Sequence, residues 1–396
     1  MSAPAAAGGL PVLEDLGELA GKRVLVRLDL NVPLTEEPDG SRTVADDFRI
    51  RACLPTLEYL SARGAEVTVA THLGRPKGKV DERYSVAPVA ARLAELGMHV
   101  RVLENLRFSP GEEQNSPELV AELVKGQDLF VNDAFGVMHR AHASVVGPPR
   151  FLPSAAGRLV EKEVAGLLPI LVDPPRPFVV VIGGAKVADK LGLLRSLSDR
   201  ADRVLVGGGM AFTFLRALGK PIGESILDEA HLDSCRDLLA SSSVLMLPVD
   251  VVAAAPGLEL EPGPAGAGGA IADPPPDATR VTGQAIPDGW RGFDIGPATC
   301  ELFRDAIAGA GSIMWNGPMG VFEDPRFARG TYEVASAVVS AGGYSVVGGG
   351  DSVAALDRFG FEDGVSHVST GGGASLELLE HGDLPGLAAL RQSTRA

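Results

Sequence analysis

The chain has 396 residues, too many for one ordinary hydrophobic core, so its length predicts two or three domains. Hydrophobic residues make up 45% and aromatic ones 5%, so those cores must be built mainly from Val, Leu, Ile and Ala. A formal net charge of −15 argues against nonspecific nucleic-acid binding or adhesion to anionic lipid, and an anionic substrate would need a local basic cluster.

The opening stretch Met1 to Gly9 has neither a basic region nor a long apolar run, so no secretory leader is expected. Arg23 to Leu28 reads as a strand, followed by Asp29-Leu30-Asn31 and Pro33. A helix follows, because Ile50, Cys53, Leu54, Leu57 and Leu60 fall on one face after the acidic pair Asp46-Asp47. Glu66 to Ala70 is the next strand, then His99 to Leu103 and Leu129 to Val131, with a helix around Pro117 to Lys125. A further helix is expected from about Leu152 to Ile170, and the Pro cluster at 173–177 then breaks the chain. The alternation restarts with strands near Phe178, Arg203, Val244, Ile313, Tyr344 and His367. The segment from Ala253 to Arg280 is rich in Pro, Gly and Ala and reads as a long loop. The expected fold is α/β: two Rossmann-like domains with mostly parallel sheets, joined by a helix and hinge. The boundaries are placed at 1–172, 173–375 and a tail at 376–396.

Cys53, Cys235 and Cys300 lie far apart without CxxC spacing, which fits reduced thiols in a cytoplasmic protein. No stretch approaches the roughly 18 apolar residues of a membrane span, so no membrane partner is expected.

Chemistry-bearing residues gather at strand ends. In the first half these are Asp29 and Asn31, His72 and Arg75, Arg107, and Asn132-Asp133 with His139, Arg140 and His142; Arg49 begins the first helix. In a parallel sheet they converge on one edge, and several arginines there suit a small, multiply charged anion. His139 and His142, without a third His or Cys nearby, are weak evidence for zinc. In the second half, Gly-rich turns follow strands at Gly183-Gly184, Gly207-Gly208-Gly209, Gly348-Gly349-Gly350 and Gly371-Gly372-Gly373. Such turns let the backbone and helix N-termini approach phosphate. Lys186 and Lys190, at i and i+4, are read as lying on one face near a helix start, where an anion would offset their clash with the macrodipole. Glu323 could accept ribose hydroxyls and Asp351 could hold Mg²⁺ through a nucleotide phosphate. Neither GxxxxGK[ST] nor GxGxxG occurs, which argues against a P-loop enzyme and a nicotinamide-dependent dehydrogenase.

Long motifs across nearly the whole chain resemble phosphoglycerate kinase. They include Asn31-Val32-Pro33-Leu34, His72 to Pro76, Glu104 to Phe108, Val131 to Gly136, Gly183 to Lys190, Gly207 to Phe212, Trp315 to Pro318 and Gly348 to Asp351. The resemblance implies reversible transfer of the acyl phosphate of 1,3-bisphosphoglycerate to ADP, giving 3-phosphoglycerate and ATP. It implies 3-phosphoglycerate binding by Asp29, Asn31, Arg49, His72, Arg75, Arg107 and Arg140. For the nucleotide it implies Gly184, Ala185, Lys190, Gly207, Gly208, Gly296, Asn316, Pro318, Glu323, Gly349, Gly350, Asp351 and Ser352, with Mg²⁺ at Asp351. The groups acting on the phosphoryl in flight would be Arg49, Lys186, Gly350 and Gly373. A cytoplasmic monomer whose domains close about a hinge is the further expectation. Leu30 and Met319 depart from the family pattern, and no Phe or Tyr occurs between Pro248 and Trp290, a region from which members often place an aromatic residue near the base.

Overall fold

The computed structural model describes residues 9–263 and 271–393. Residues 1–8 of the stretch read for a leader, and 264–270 of the Pro-rich segment, lie outside the described residues. The chain divides into two compact units, Met1–Leu168 with Gly382–Ala396, and Pro169–His381. The sequence reading drew its boundaries at 172/173 and 375/376.

The first unit contains β1 (Arg23–Leu28), the hairpin β2 (Leu34–Glu36) and β3 (Arg42–Val44), then β4 (Glu66–Ala70), β5 (Arg101–Val102), β6 (Leu129–Asp133) and β7 (Ser154–Ala156). Its helices are α1 (Phe48–Ala62), α2 (Ala87–Glu95), α3 (Pro117–Val124), α4 (Ala143–Val146) and the start of α5 (Arg158–Val172). The sheet order is β5-β4-β1-β6-β7 and every pairing in it is parallel. The chain therefore runs outward from β1 on one side and returns to β6 on the other, leaving a topological switch beside β1. Crevices at such switches, at the carboxyl ends of strands, are where open α/β sheets bind ligands. Val24, Val26 and Leu28 alternate onto the face packed by Ile50, Cys53, Leu57 and Leu60 of α1, all buried. Local chemistry sets the helix starts. The Ser116 hydroxyl accepts from Leu119 N at 3.3 Å with Pro117 in the first turn of α3.

The second unit begins within α5 and repeats this plan. Its strands are β8 (Phe178–Ile182), β9 (Arg203–Val206), β10 (Leu245–Met246), β11 (Asp250–Ala254), β12 (Thr279–Gly283), β13 (Arg291–Ile295), β14 (Ser312–Asn316), β15 (Tyr344–Gly348) and β16 (His367–Ser369). Its helices are α6 (Leu191–Ser198), α7 (Met210–Ala217), α8 (Leu232–Ser241), α9 (Pro297–Ile307), α10 (Arg329–Ser340), α11 (Gly350–Phe359) and α12 (Gly373–His381). The main sheet has the order β10-β9-β8-β14-β15-β16, all parallel, with its switch between β8 and β14. Both switch strands are buried along their whole length, as expected of a parallel sheet covered on two faces. Trp315, Phe303, Ile307, Val334 and Leu356 join one cluster with Val179 and Val181. After the second unit, α13 (Pro385–Arg391) packs against α4 of the first.

Three readings are corrected. The helix expected from Leu152 starts at Arg158, because Ser154–Ala156 pairs with β6 as an edge strand. Asp133 then holds the start of that helix, accepting from Leu159 N at 2.8 Å and Val160 N at 3.1 Å. The supposed loop from 253 opens and closes in strands, since β11 pairs antiparallel with both β12 and β13. Lys186 precedes the helix rather than lying on it: residues 188–190 are a 3₁₀ turn and Lys190 is the N-cap of α6.

Among the described residues no helix is long and apolar enough to cross a membrane. Cys53, Cys235 and Cys300 are free and buried, and burial pushes Cys300 up to about 12.

Candidate functional site

In the first unit the loops after β1, β4 and β6 and the turn near Arg107 meet at one edge. Asp29, 7% exposed, is ion-paired with Arg49, whose side chain is 44% exposed. The Asn31 side-chain oxygen accepts from Gly74 N at 2.8 Å, tying the first loop to the second. Asn105 donates to Leu73 O at 2.7 Å and to Tyr84 O at 2.9 Å, locking the third loop to the second. Arg107, 5% exposed, donates to Gly74 O at 2.7 Å and lies 3.5 Å from Glu113. Its burial pulls the guanidinium pKa down, and the neighbouring Arg140 charge adds to this. Arg140 donates to His139 Nε2 at 3.2 Å, while Arg75 is exposed to solvent.

His72 is the meeting point. It is 2% exposed, and burial pulls its pKa well below the ordinary value. The charges of Arg27, Arg107, Arg140 and Arg49 push the same way, so four guanidinium groups act on one imidazole. Three of the four were singled out in the sequence; Arg27 was not. It is buried in β1 behind the site, with Glu112 and Ser144 as partners. A cation inside an apolar strand was the available signal. His142 Nδ1 lies 3.7 Å from the buried Glu112.

In the second unit the turns after β8, β9 and β14 interlock. Gly183 N donates to Asn316 O at 2.9 Å, Gly184 N to Pro318 O at 2.9 Å, and Gly208 N to Met319 O at 3.0 Å. Gly208 has φ of +65°, and a Cβ there would lie 2.5 Å from Gly184 N and 2.7 Å from Pro318 O. Only glycine allows three backbones to approach this closely. Met319, buried under Gly183 and Gly207, fills the space where those glycines carry no side chain.

These turns floor a cavity of about 270 Å³ lined by Gly184, Ala185, Gly208, Pro318, Glu323 and Asp351, all expected from the sequence. Its apolar walls are Phe212, Ile226, Leu260, Phe293 and Val321, which were not. Leu260 supplies the wall from the Pro-rich segment, and Phe293, stacked 4.9 Å from Phe327, supplies the aromatic surface from β13. Gly296 is not among the lining residues; it is the N-cap of α9, where a Cβ would strike the Asp250 carboxylate.

Beside the cavity, Lys190 turns back to donate to Gly183 O at 2.6 Å and Asn316 O at 3.2 Å. Burial lowers its pKa to about 8, partly offset by Asp351 and Asp189. Asn316 donates to Gly348 O at 2.7 Å, and the Ser352 hydroxyl accepts from Gly317 N. Gly349 precedes α11 at φ +91°, Gly350 begins it, and Gly373 begins α12, so both helices open with backbone N–H groups free of intrahelical partners. Lys186 is exposed on the loop before α6.

A larger hollow of about 590 Å³ in the first unit involves Arg42, Asp47, Arg51, Arg92 and Glu95. Its charges are spent on one another, with Asp47 taking both Arg51 and Arg92 at 2.7–2.8 Å, so it offers little to a ligand.

Against known proteins, the phosphoglycerate kinase family model matches residues 13–102 and 97–382. The chain is 50% identical over 398 residues to a phosphoglycerate kinase of Rubrobacter xylanophilus, covering 94% of this chain and 96% of the relative. It is 50% identical over 400 residues to a phosphoglycerate kinase of Thermus thermophilus, covering 93% and 97%. Among solved structures, phosphoglycerate kinase from Coxiella burnetii superposes with a TM-score of 0.85 at 37% identity, covering 97% and 99%. That from Pyrococcus horikoshii gives 0.77 at 31%, covering 96% and 98%. With matched motifs spread over both units, the chain belongs to the phosphoglycerate kinase family.

Proposed function

We propose that the chain catalyses reversible transfer of the acyl phosphate of 1,3-bisphosphoglycerate to ADP, yielding 3-phosphoglycerate and ATP, as a step of glycolysis and gluconeogenesis. The observation that carries this reading is the clustering of arginines around His72 in a chain of net charge −15. A cluster of that sign, in a field of the other, is built for a small polyanion. On this reading Asp29, Asn31, His72, Arg75, Arg107 and Arg140 bind 3-phosphoglycerate, and the Gly184–Gly208–Pro318 floor receives the nucleotide with Glu323 on its ribose.

The reaction needs no general base. In the ATP-consuming direction the nucleophile is a substrate carboxylate, ionised at neutral pH. What the transferring group requires is in-line positioning and charge neutralisation. Arg49 and Lys186 are exposed, and on this reading they supply positive charge to the phosphoryl group in flight. The opening N–H groups of α11 and α12, at Gly350 and Gly373, offer fixed positive potential. On this reading Lys190 and Ser352 meet the phosphates, and Asn316 and Gly349 shape the turns around them. Arg49 also needs a partner while waiting, and Asp29 supplies it.

Mg²⁺ fits the residues present. Asp351 offers a carboxylate at the rim of the cavity and lies close enough to Lys190 to offset part of the lowering that burial imposes on its pKa. No group of three or more candidate ligands occurs among the described residues. A cation that takes one carboxylate and fills its remaining positions with water and phosphate oxygens is the hard-ion pattern of magnesium. Bound there, it would neutralise phosphate charge. We further propose a cytoplasmic monomer whose domains close during turnover and exclude water from the phosphoryl group.

The test is ATP formation from 1,3-bisphosphoglycerate and ADP by the purified chain, with and without Mg²⁺. Turnover that needs Mg²⁺ and is abolished in Arg49→Ala is expected. Tight nucleotide binding without turnover would refute the assignment.

A further inference from the structure

We infer that the buried trio Arg27, Glu112 and Ser144 is a positioning device that holds His72 as the neutral tautomer with its proton on Nε2. That makes the imidazole a donor toward the substrate anion. The inference rests on the proposed binding of 3-phosphoglycerate to the first unit.

Every nitrogen of the Arg27 guanidinium is directed. Nε donates to the Ser144 hydroxyl at 2.8 Å, Nη1 to Leu28 O, and Nη2 to His72 Nδ1 at 3.2 Å. A guanidinium has donors only, so His72 Nδ1 must accept and cannot carry a proton. In a neutral imidazole the proton then resides on Nε2, for which no protein partner occurs among the described residues.

The guanidinium is itself clamped. The Ser144 hydroxyl that accepts from Nε donates to Glu112 Oε1 at 2.6 Å, and Ser144 N donates to Oε2 at 3.0 Å. Glu112 Oε1 also lies 3.9 Å from Arg27 Nη2. Arg27 is 1% exposed, Ser144 1% and Glu112 0%, so none of them can touch a ligand directly. A buried, fully partnered ion pair loses rotational freedom, and this one can aim its remaining N–H at the imidazole.

The tautomer decides the sign of the contact. With the proton on Nδ1, the bare lone pair of Nε2 would face an anion and repel it. A doubly protonated ring would set an N–H against Arg27. The groups acting on the ring are Arg27, Arg49, Arg107 and Arg140, with Asp29 Oδ1 3.9 Å from Nδ1 and itself engaged by Arg49. The arginines and burial together hold the ring neutral, which supports the same picture. No local pattern hints at the arrangement, because Arg27 and Ser144 stand 117 residues apart.

Long-range ¹H–¹⁵N correlation on the full ¹⁵N-labelled chain tests this, with His72 assigned by its loss in His72→Gln. At neutral pH we expect a protonated Nε2 and an unprotonated Nδ1 before any ligand is added. A protonated Nδ1, alone or with Nε2, overturns the inference whatever the variants do. The double variant Arg27→Met with Glu112→Gln removes the clamp without leaving a buried charge unpaired. It should populate both tautomers and raise the KM for 3-phosphoglycerate on the order of tenfold, with the KM for ATP unchanged. A folded double variant with the wild-type tautomer and wild-type KM also overturns it. If that variant does not fold, Ser144→Ala serves the same comparison. If His72 shows the expected tautomer yet no signal moves on adding 3-phosphoglycerate, the substrate placement fails while the positioning stands.

Discussion

Lys190 offers a quantitative prediction, because its two states differ in whether they can hold a phosphate. Its ammonium is largely buried and its pKa is lowered from 10.5 to about 8, with burial the main cause. That displacement corresponds to roughly 3 kcal/mol disfavouring the ammonium. On the proposed nucleotide placement, a polyphosphate beside Nζ would restore the charged form, so binding would take up a proton wherever the free enzyme has lost it. With a free-enzyme pKa of about 8 and a higher one in the complex, the apparent Kd should rise about 2-fold by pH 8 and about 10-fold by pH 9, relative to pH 7. Proton uptake should be about half a proton per nucleotide at pH 8. Phosphate itself contributes little, since its second pKa is about 6. Titration calorimetry at constant Mg²⁺, in buffers of differing ionisation enthalpy, reads both quantities. Lys190→Met should bind nucleotide weakly at every pH, take up no proton, and unfold at a higher temperature than wild type at pH 7. That last effect follows from the sign: a lysine with a depressed pKa in the fold costs stability below about pH 8, and the cost fades as pH rises toward its unfolded value. Wild-type affinity that is flat from pH 7 to 9 would refute the reasoning.

The other expectations follow from charge and burial. Arg49→Ala should lower kcat by about 10³ or more with nucleotide KM little changed, and Lys186→Ala should lower kcat with a small effect on nucleotide affinity; steady-state kinetics showing near-normal turnover in either variant would remove that residue from the reaction. Arg75→Ala should raise the KM for 3-phosphoglycerate about 10-fold at near wild-type thermal stability, because the side chain is exposed and its loss disturbs no core. Burial raises Asp294 to about 8 despite bonds from Gly330 N and Ile295 N. The folded chain thus holds a proton that the unfolded chain releases near pH 4. Stability should fall by about 1.4 kcal/mol per pH unit from about pH 4 to about 8 on account of this group, then level off. Denaturant unfolding at several pH values measures it, and Asp294→Ala, less stable overall, should lose that component; an identical slope in the variant would refute it.

Much of the fold was legible because parallel strands covered on both faces write themselves as unbroken apolar runs. Phe178 to Ile182 and Arg203 to Val206 end in glycine turns and read unambiguously. The antiparallel sheet did not. Thr279–Gly283 is polar, with Val281 54% exposed, and Arg291–Ile295 begins with a charge and a glycine. Both are strands because β11 presents its two edges to them, a tertiary cause with no local trace. Lys186 and Lys190 misled for the opposite reason. Their spacing fits a helix, but the backbone of Gly183 and Gly184 is bonded to neighbouring turns, Val187 O accepts from Lys190 N in a 3₁₀ turn, and α6 begins only at Leu191.

The site divides along the same line. Residues that follow a strand were recoverable, since a parallel sheet puts every carboxyl end on one edge and the ligand must come there. Residues behind that edge were not. In β1 the alternation sends Val24, Val26 and Leu28 toward α1, which leaves Arg27 on the opposite face. A cation inside an apolar strand marks Arg27 as unusual without saying what it meets; it is buried because Glu112 and Ser144 arrive from distant segments to neutralise and bind it. A buried cation is tolerable only with such partners, and partners more than eighty residues away cannot be paired from one sequence. The groups that would touch substrate are thus announced by position, whereas those that orient them are announced only by their burial.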